Sequence, residues 1–397
     1  MSNAAQTQAS STNENVEVVE CKTKADRRRF IDFQWEVYKN DRYWVPPLIS
    51  EREAFYDSKK NPFFEHSSVS MFMALRNGKV VGTISAIQNN RHNETHHEKT
   101  GFFGSFEVLE DYEAARALLD TARAWVQARG MTVLRGPTTF STNEECGLLV
   151  DGFDAEPKVL MSYNPRYYVT FLERYGFTKA MDLYAWWANT DTAAHAIIGQ
   201  RFERVAEAAM KRGKFTVRNA NLKKFDKEVD LIKKVYNQAW VANWGFVPPT
   251  DKEIEHLGEG LRQFVDTDFV FIAEKDGEPI GVSVSLPNVN RPLHLAYPNP
   301  GTPELWTLLK FLWYRRNTVD SIRIWALGVV PKYRMSGVDA VMIYKTLQAI
   351  MRRKMVGGEL SWILETNDAM NRVIQFANPT LYKKYRFYDL KLDGSNP

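Results

Sequence analysis

The chain has 397 residues, 44% of them apolar, which is enough to bury two cores rather than one. Its 52 basic and 48 acidic residues leave a net charge of only +4, so no concentrated field marks it as a nucleic-acid binder. Two cysteines, Cys21 and Cys146, are too few for a disulfide framework and supply no CxxC pair for a metal.

Residues 1–15 are polar, with neither a basic n-region nor an apolar h-region, and read as a disordered tail of a cytoplasmic protein. No later run approaches the roughly 20 apolar residues that cross a bilayer, so no transmembrane segment is expected. Arg27-Arg28-Arg29 and Arg352-Arg353-Lys354 read as solvated helix faces, with a phosphate contact as the alternative.

A helix carrying Val37-Tyr38 must stop before Pro46-Pro47. The stretch from Met71 to Asn89 then alternates as two short strands about Asn77-Gly78, a dipeptide suited to the positive φ of a hairpin turn. His92, His96 and His97 follow in a segment that reads as a solvated loop, without ligand spacing. The strand Gly101 to Val108 runs straight into Leu109-Glu110-Asp111 and a helix. The irregular segment Arg135 to Gly147, rich in small polar groups and carboxylates, is either a self-satisfied turn network or a contributor to an acceptor site. A helix leading into Tyr175-Gly176-Phe177 closes this half.

Thr192 is placed to cap an Ala-rich helix that stops at Gly213, and the strand Phe215 to Asn219 follows. The first plan then repeats. Val235-Tyr236 leads to Pro248-Pro249, and a hairpin from Phe269 turns at Asp276-Gly277. Ala273, Gly277, Gly281 and Asn288 match Ala74, Gly78, Gly82 and Asn89 at one ungapped offset, the signature of an internal repeat. The resulting divisions are a tail (1–15), a first copy (16–190), a linking helix (191–213) and a second copy (214–397). Hairpin strands followed by alternating strand and helix argue an α/β mixed sheet, antiparallel at one side and parallel at the other. Trp306 and Trp313, seven residues apart on one helical face, read as core packing or as lining for an apolar channel.

The apolar strand from Ile322 ends in a short loop and an amphipathic helix, and free N–H groups at such a helix start attract an anion such as a pyrophosphate. Gly337 allows close approach of backbone, while Arg334 and Lys332 can add charge-assisted bonds; the alternative is an ordinary turn with a surface arginine. Val329-Val330-Pro331-Lys332-Tyr333-Arg334-Met335-Ser336-Gly337-Val338-Asp339-Ala340 resembles the cofactor loop of the GNAT (Gcn5-related) acyl-CoA N-acyltransferases, departing from it at Asp339. Leu360 to Asn367 resembles the family's next strand. Leu381-Tyr382-Lys383-Lys384-Tyr385-Arg386-Phe387 resembles its L-Y-x-x-x-G-F, with Arg386 in place of the glycine.

That resemblance implies two tandem GNAT-like domains, each a mixed, mostly antiparallel sheet flanked by helices. It implies an acyl-CoA-dependent N-acyltransferase, with acetyl-CoA or another acyl-CoA as co-substrate, in which an amine attacks the thioester directly. Leu327, Gly328, Val329, Val330, Arg334, Met335, Ser336, Gly337, Val338, Asp339, Ala340 and Asn367 become the cofactor-binding residues. Tyr382 becomes the general acid and Glu365 the nearest candidate base, or else a partner for a basic side chain. The first copy lacks the Arg-x-x-Gly loop, opens its helix with acids and has Leu172 where the family has its tyrosine, so it is expected not to bind cofactor. The acceptor is expected to be a small-molecule or lipid-like amine, with no nucleic acid and no metal. The tandem plan also resembles long-chain N-acyltransferases and aminoacyl-tRNA-dependent transferases, and two degenerate copies acting as a binding module remain the non-catalytic alternative.

Overall fold

A computed structural model describes residues 15–190, 193–262, 264–375 and 378–392. The expected tail lies almost wholly outside them, and the Thr192 cap wholly so. In the first half the order is β1 (Glu17–Glu20), α1 (Lys24–Asp32), α2 (Gln34–Val37), α3 (Ile49–Phe55), β2 (Ser67–Arg76), β3 (Lys79–Asn89), α4 (Asn90–His96), β4 (Thr100–Val108) and α5 (Tyr112–Gln127). There follow β5 (Val133–Gly136), β6 (Leu148–Asp151), α6 (Tyr167–Tyr175) and β7 (Thr178–Asn189). After α7 (Ala193–Gly213), the second half runs β8 (Thr216–Asn219), α8 (Phe225–Ala239), α9 (Asp251–Arg262), β9 (Val270–Lys275), β10 (Glu278–Pro287), α10 (Asn290–Ala296) and α11 (Glu304–Thr318). It closes with β11 (Ser321–Val329), α12 (Val338–Arg352), β12 (Gly357–Leu364), α13 (Asp368–Gln375) and β13 (Thr380–Lys391).

Both hairpins form as their dipeptides demand, with φ of 54° and 73° at Asn77-Gly78 and 53° and 82° at Asp276-Gly277. The alternation on the strands then sends one face to each helical layer. In the first half Ile84 and Ala86 meet Leu118 and Leu119 of α5 on one side, while Ile87 meets Phe30 and Phe140 on the other. In the second half Gly281 lies under Val338 and Met342 of α12, and Val282 packs with Val235 of α8.

Among the described residues the strands join in one sheet, ordered β1-β2-β3-β4-β5-β13-β7-β12-β11-β10-β9-β8, with β6 branching from β13. Neighbours are antiparallel except β4 with β5 and β11 with β12. The last strands are exchanged: β13 of the second half pairs with β5 of the first, and β7 of the first pairs with β12 of the second. Each exchanged strand covers the edge that the other half would otherwise leave open. Consecutive divisions at 190 and 214 therefore describe the repeat in the sequence, whereas each half of the sheet borrows its final strand.

Two local expectations change. The histidine segment is not a solvated loop: Asn89 caps α4 by accepting from the His92 amide at 3.0 Å, and His92 is buried edge-on against Phe102. Burial pushes its imidazole down to about 4, against the opposing pull of Glu98. Trp306 and Trp313 are neither core nor channel lining; both are largely exposed on α11.

Candidate active site

Ser321–Gly357 through Ile324–Leu360 are the residues that hold β11 parallel to β12. Past them β11 bulges: Ala326 faces Val284 and Ile324 faces Ser285, which leaves Trp325 as the extra residue. The strands part here. The cleft between them is lined by Arg323, Trp325, Trp362, Leu364 and Phe387.

The opposite wall comes from the first half. Residues 142–146 of the polar loop face the cleft, held there by Thr142 Oγ1 donating to the Gly245 carbonyl at 2.7 Å and Asn143 Nδ2 donating to the Val247 carbonyl at 3.1 Å. The loop also bonds within itself, as when the Thr139 amide donates to the Glu145 carbonyl at 2.8 Å. It is at once a satisfied turn network and a cavity wall.

A second, apolar cavity, partly open to solvent, leads from the same place. Ile232, Leu257, Leu261, Val270 and Val284 are among its walls, from α8, α9 and the sheet. Asn143, Glu144, Tyr236, Leu257 and Trp325 line both cavities and so form their junction.

Carboxylates crowd that junction. Glu145 accepts from Arg52 at 2.7 Å. Glu107 accepts from the Tyr38 hydroxyl at 2.8 Å and the Tyr168 hydroxyl at 2.9 Å, yet burial pushes it up to about 8. Glu144 differs from these. Among the described residues its carboxylate has no hydrogen-bond or ion-pair partner, and burial, helped by the negative charge of Glu145, pushes it up to about 8. A carboxylate poised near neutral pH and facing a cavity is chemically suited to take a proton from an ammonium group.

The anticipated cofactor residues run from the end of β11 into the start of α12, with Asn367 ahead of α13, and none of them lines either cavity. Gly337 adopts φ 81° as the residue before α12, and a Cβ there would come within 2.6 Å of Ala209 on α7, so only backbone fits. No side chain caps the N–H groups of this helix start. Arg334 is exposed and donates from Nη2 to the Ala239 carbonyl at 2.8 Å, which places a cation at the C-terminus of α8. Met335 is fully exposed, Ser336 donates to the Tyr333 carbonyl at 2.6 Å, and Asp339 sits in the first helical turn. Leu327 to Val329 continue β11 beyond its pairing with β12, and the Val330 amide bonds to the Ile280 carbonyl. Asn367 caps α13, accepting from the Met370 amide at 3.1 Å.

The two anticipated catalytic residues are not brought to the cleft. Tyr382 stands on β13 rather than on a helix, and its hydroxyl donates to Glu359, which faces Arg323 across the paired part of β11 and β12. Arg323 in turn donates to the Val159 and Leu160 carbonyls at 2.7 and 2.8 Å and to Ser361 Oγ at 3.1 Å, completing a buried network. Glu365 pairs with Lys179 at 2.7 Å and accepts from the Asp182 amide. Neither Tyr382 nor Glu365 lines either cavity. Glu144 lay within the loop flagged by its polar composition, but its separate role depends on the second half packing against it, which no local pattern reports.

In the first half the equivalent opening is closed. The Thr138 amide donates to the Phe103 carbonyl at 2.9 Å, and a Cβ on Gly104 would meet the Thr138 carbonyl oxygen at 1.8 Å. The Val108 amide at the strand end donates to the Tyr168 hydroxyl at 2.7 Å. Asp111 caps α5 and holds Arg76 at 2.7 Å, so an acid occupies this helix start.

A parallel strand pair followed by a helix, repeated in one chain, with one pair parted before a glycine-led helix and the other closed, defines a tandem acyltransferase fold. The model of the acetyltransferase (GNAT) family matches residues 30–145. The chain is 35% identical to the bacterial ceramide synthase of Caulobacter vibrioides over 96% of its own length and 99% of the relative's. It is 33% identical to the protein YghO of Escherichia coli K12, over 93% and 94% of the two chains. A tandem GNAT protein from the clavulanic acid biosynthesis pathway superposes with a TM-score of 0.55 at 12% identity, covering 96% of this chain and all of that one. The chain belongs to the GNAT acyltransferase superfamily in its tandem form, and it is an N-acyltransferase.

Proposed function

We propose that the enzyme transfers a long acyl chain from acyl-CoA to the primary amine of a long-chain amphiphile. The observation that carries this reading is the junction at Glu144, where an apolar cavity meets a polar cleft beside the parted strands. A site for acetyl transfer to a small polar amine has no use for a hydrocarbon-lined chamber at the reacting centre. The name of the Caulobacter vibrioides relative is in keeping with this reading, because a ceramide is a long-chain amino alcohol carrying an N-linked acyl chain.

Acyl-CoA approaches from the α12 end. The amides of Gly337 to Ala340 serve its phosphates, Arg334 is exposed beside them, and the backbone of Leu327 to Val330 lies along the pantetheine. The acceptor ammonium meets Glu144 and gives up a proton, and the freed amine attacks the thioester carbonyl. An oxyanion forms beside the free edge of β11, the second proton goes to the departing thiolate, and the hydrocarbon rests in the apolar cavity.

The test is a transfer assay pairing acetyl-CoA or a long-chain acyl-CoA with ethanolamine or a long-chain 2-amino alcohol. The expected result is efficient amide formation only when donor and acceptor are both long. Faster acetylation of ethanolamine would overturn the reading. Calorimetry of the long-chain acyl-CoA against Arg334→Ala, expected to bind about tenfold more weakly through loss of a charge-assisted bond, checks the donor end.

A further inference from the structure

Between β10 and β11 the second half inserts the hairpin of α10 and α11, where the first half has only α4. Helix α11, ELWTLLKFLWYRRNT, is apolar on both faces. Its inner face is accounted for: Thr307 and Phe311 are buried, and the Phe311 ring meets Phe264 edge-on in the cluster that includes Leu261 and Val265 of the cavity wall. Its outer face is not. Leu305, Leu308, Leu309 and Leu312 are exposed, and Trp306 and Trp313 are 60% and 65% exposed. A surface helix ordinarily turns polar groups outward, so a contiguous stripe of leucine and tryptophan marks a face that something covers.

We propose that this face docks on an anionic lipid bilayer, with α11 lying in the boundary between headgroups and acyl chains. The charges decide between a bilayer and a second copy of the chain. Lys310 and Arg316 are exposed beside the apolar stripe, while Glu304, the sole acid of the helix, is turned toward the first half and accepts from the Ser50 amide at 3.0 Å and the Ser50 hydroxyl. The outer face thus combines leucine, tryptophan and basic groups without a carboxylate, the composition of an interfacial helix. At 15 residues α11 is about 22 Å long, too short to span a bilayer. No described helix is long and apolar enough to cross one. The Trp35 indole N–H bonds the Pro298 carbonyl at 2.9 Å, which fastens the hairpin to the first half as a fixed platform.

The experiment is co-sedimentation of the full chain, without acyl-CoA or amine, with vesicles of phosphatidylcholine alone or mixed with phosphatidylglycerol. Binding is expected on the mixed vesicles, with a loss of tenfold or more in both Trp306→Glu/Trp313→Glu and Lys310→Glu/Arg316→Glu. These side chains are exposed, so unchanged circular dichroism and thermal midpoint are expected alongside. Quenching of wild-type tryptophan fluorescence by brominated lipid gives a reading that needs no variant. Failure of the wild type to sediment with the mixed vesicles, or retention of binding by the tryptophan pair, would overturn the proposal, as would a wild-type dimer that the tryptophan pair converts to monomer. Because no substrate is present, the outcome is independent of the reaction proposed above.

Discussion

Arg386 grips Asp182 with Nε at 2.7 Å and Nη2 at 3.1 Å, and the pair stands in register across β13 and β7, the two strands that the halves exchange. The arginine that replaces the family's glycine is therefore a clamp on the exchange. Burial alone would raise Asp182, but Arg386 and Lys179 outweigh it and hold the carboxyl below its ordinary value.

Arg386→Ala leaves a buried carboxylate partly unpaired, and we expect a loss of about 2–3 kcal/mol, at the low end for such a pair because Arg386 is not fully buried. Urea unfolding followed by circular dichroism measures it. Since the folded-state pKa of Asp182 is depressed, the clamp contributes fully above the ordinary aspartate range and is lost as pH falls through the folded value. The deficit of Arg386→Ala relative to wild type should accordingly shrink at acid pH; a constant deficit would place its origin elsewhere.

Glu144→Gln should lower turnover about 100-fold or more, the ordinary worth of a general base, with little change in acyl-CoA affinity. A base works only when deprotonated, so wild-type turnover should rise as pH climbs toward about 8, and the variant should lose that limb. Wild-type turnover that falls over this range would remove Glu144 from the role.

Filling the apolar cavity separates chain binding from chemistry. Ile232→Trp places an indole where hydrocarbon is expected to lie. Activity with a long-chain acceptor should fall at least tenfold and activity with a short one should not, because each lost methylene contact weighs on the order of 0.8 kcal/mol. Equal losses on both acceptors would mean a damaged fold rather than a shortened chamber.

Glu107 makes a stability prediction with the opposite sign to Asp182. Its folded pKa is raised to about 8, so between the ordinary glutamate range and that value the folded state holds a proton the unfolded state has released. Its effect is a decline in stability as pH rises through that window. Glu107→Gln should flatten the decline in thermal midpoint between about pH 5 and 8, and an unaltered slope would show that Glu107 does not titrate there.

Tyr382→Phe distinguishes network from catalysis. With its hydroxyl on buried Glu359, the change should cost about 1–3 kcal/mol of stability, the penalty of a buried acceptor losing its donor. Turnover at a temperature where the variant is folded should hold within a few-fold; a hundredfold loss there would restore the general-acid role that the motif implied.

Local signals travelled well from sequence to structure. Asn77-Gly78 and Asp276-Gly277 demand positive φ, so both hairpins and hence the repeat were readable. Gly337 marked a close approach, which proved to be that of the Ala209 methyl on α7. Asn367 is the helix cap that its residue type favours. Each of these follows from one or two residues' own geometry.

What the sequence could not order is everything that rests on partners remote in the chain. Trp325 and Glu144 become neighbours of one cavity only because the loop after β5 packs on α8 and the following turn, through bonds such as Thr142 to Gly245. Tyr382 and Glu365 sat in a plausible motif order, yet the exchange of β13 and β7 carries one to Glu359 and the other to Lys179. The seven-residue spacing of Trp306 and Trp313 put both on one face of a helix, as helical geometry requires. Which way that face turns is a property of packing, and only the tertiary structure turned it toward solvent.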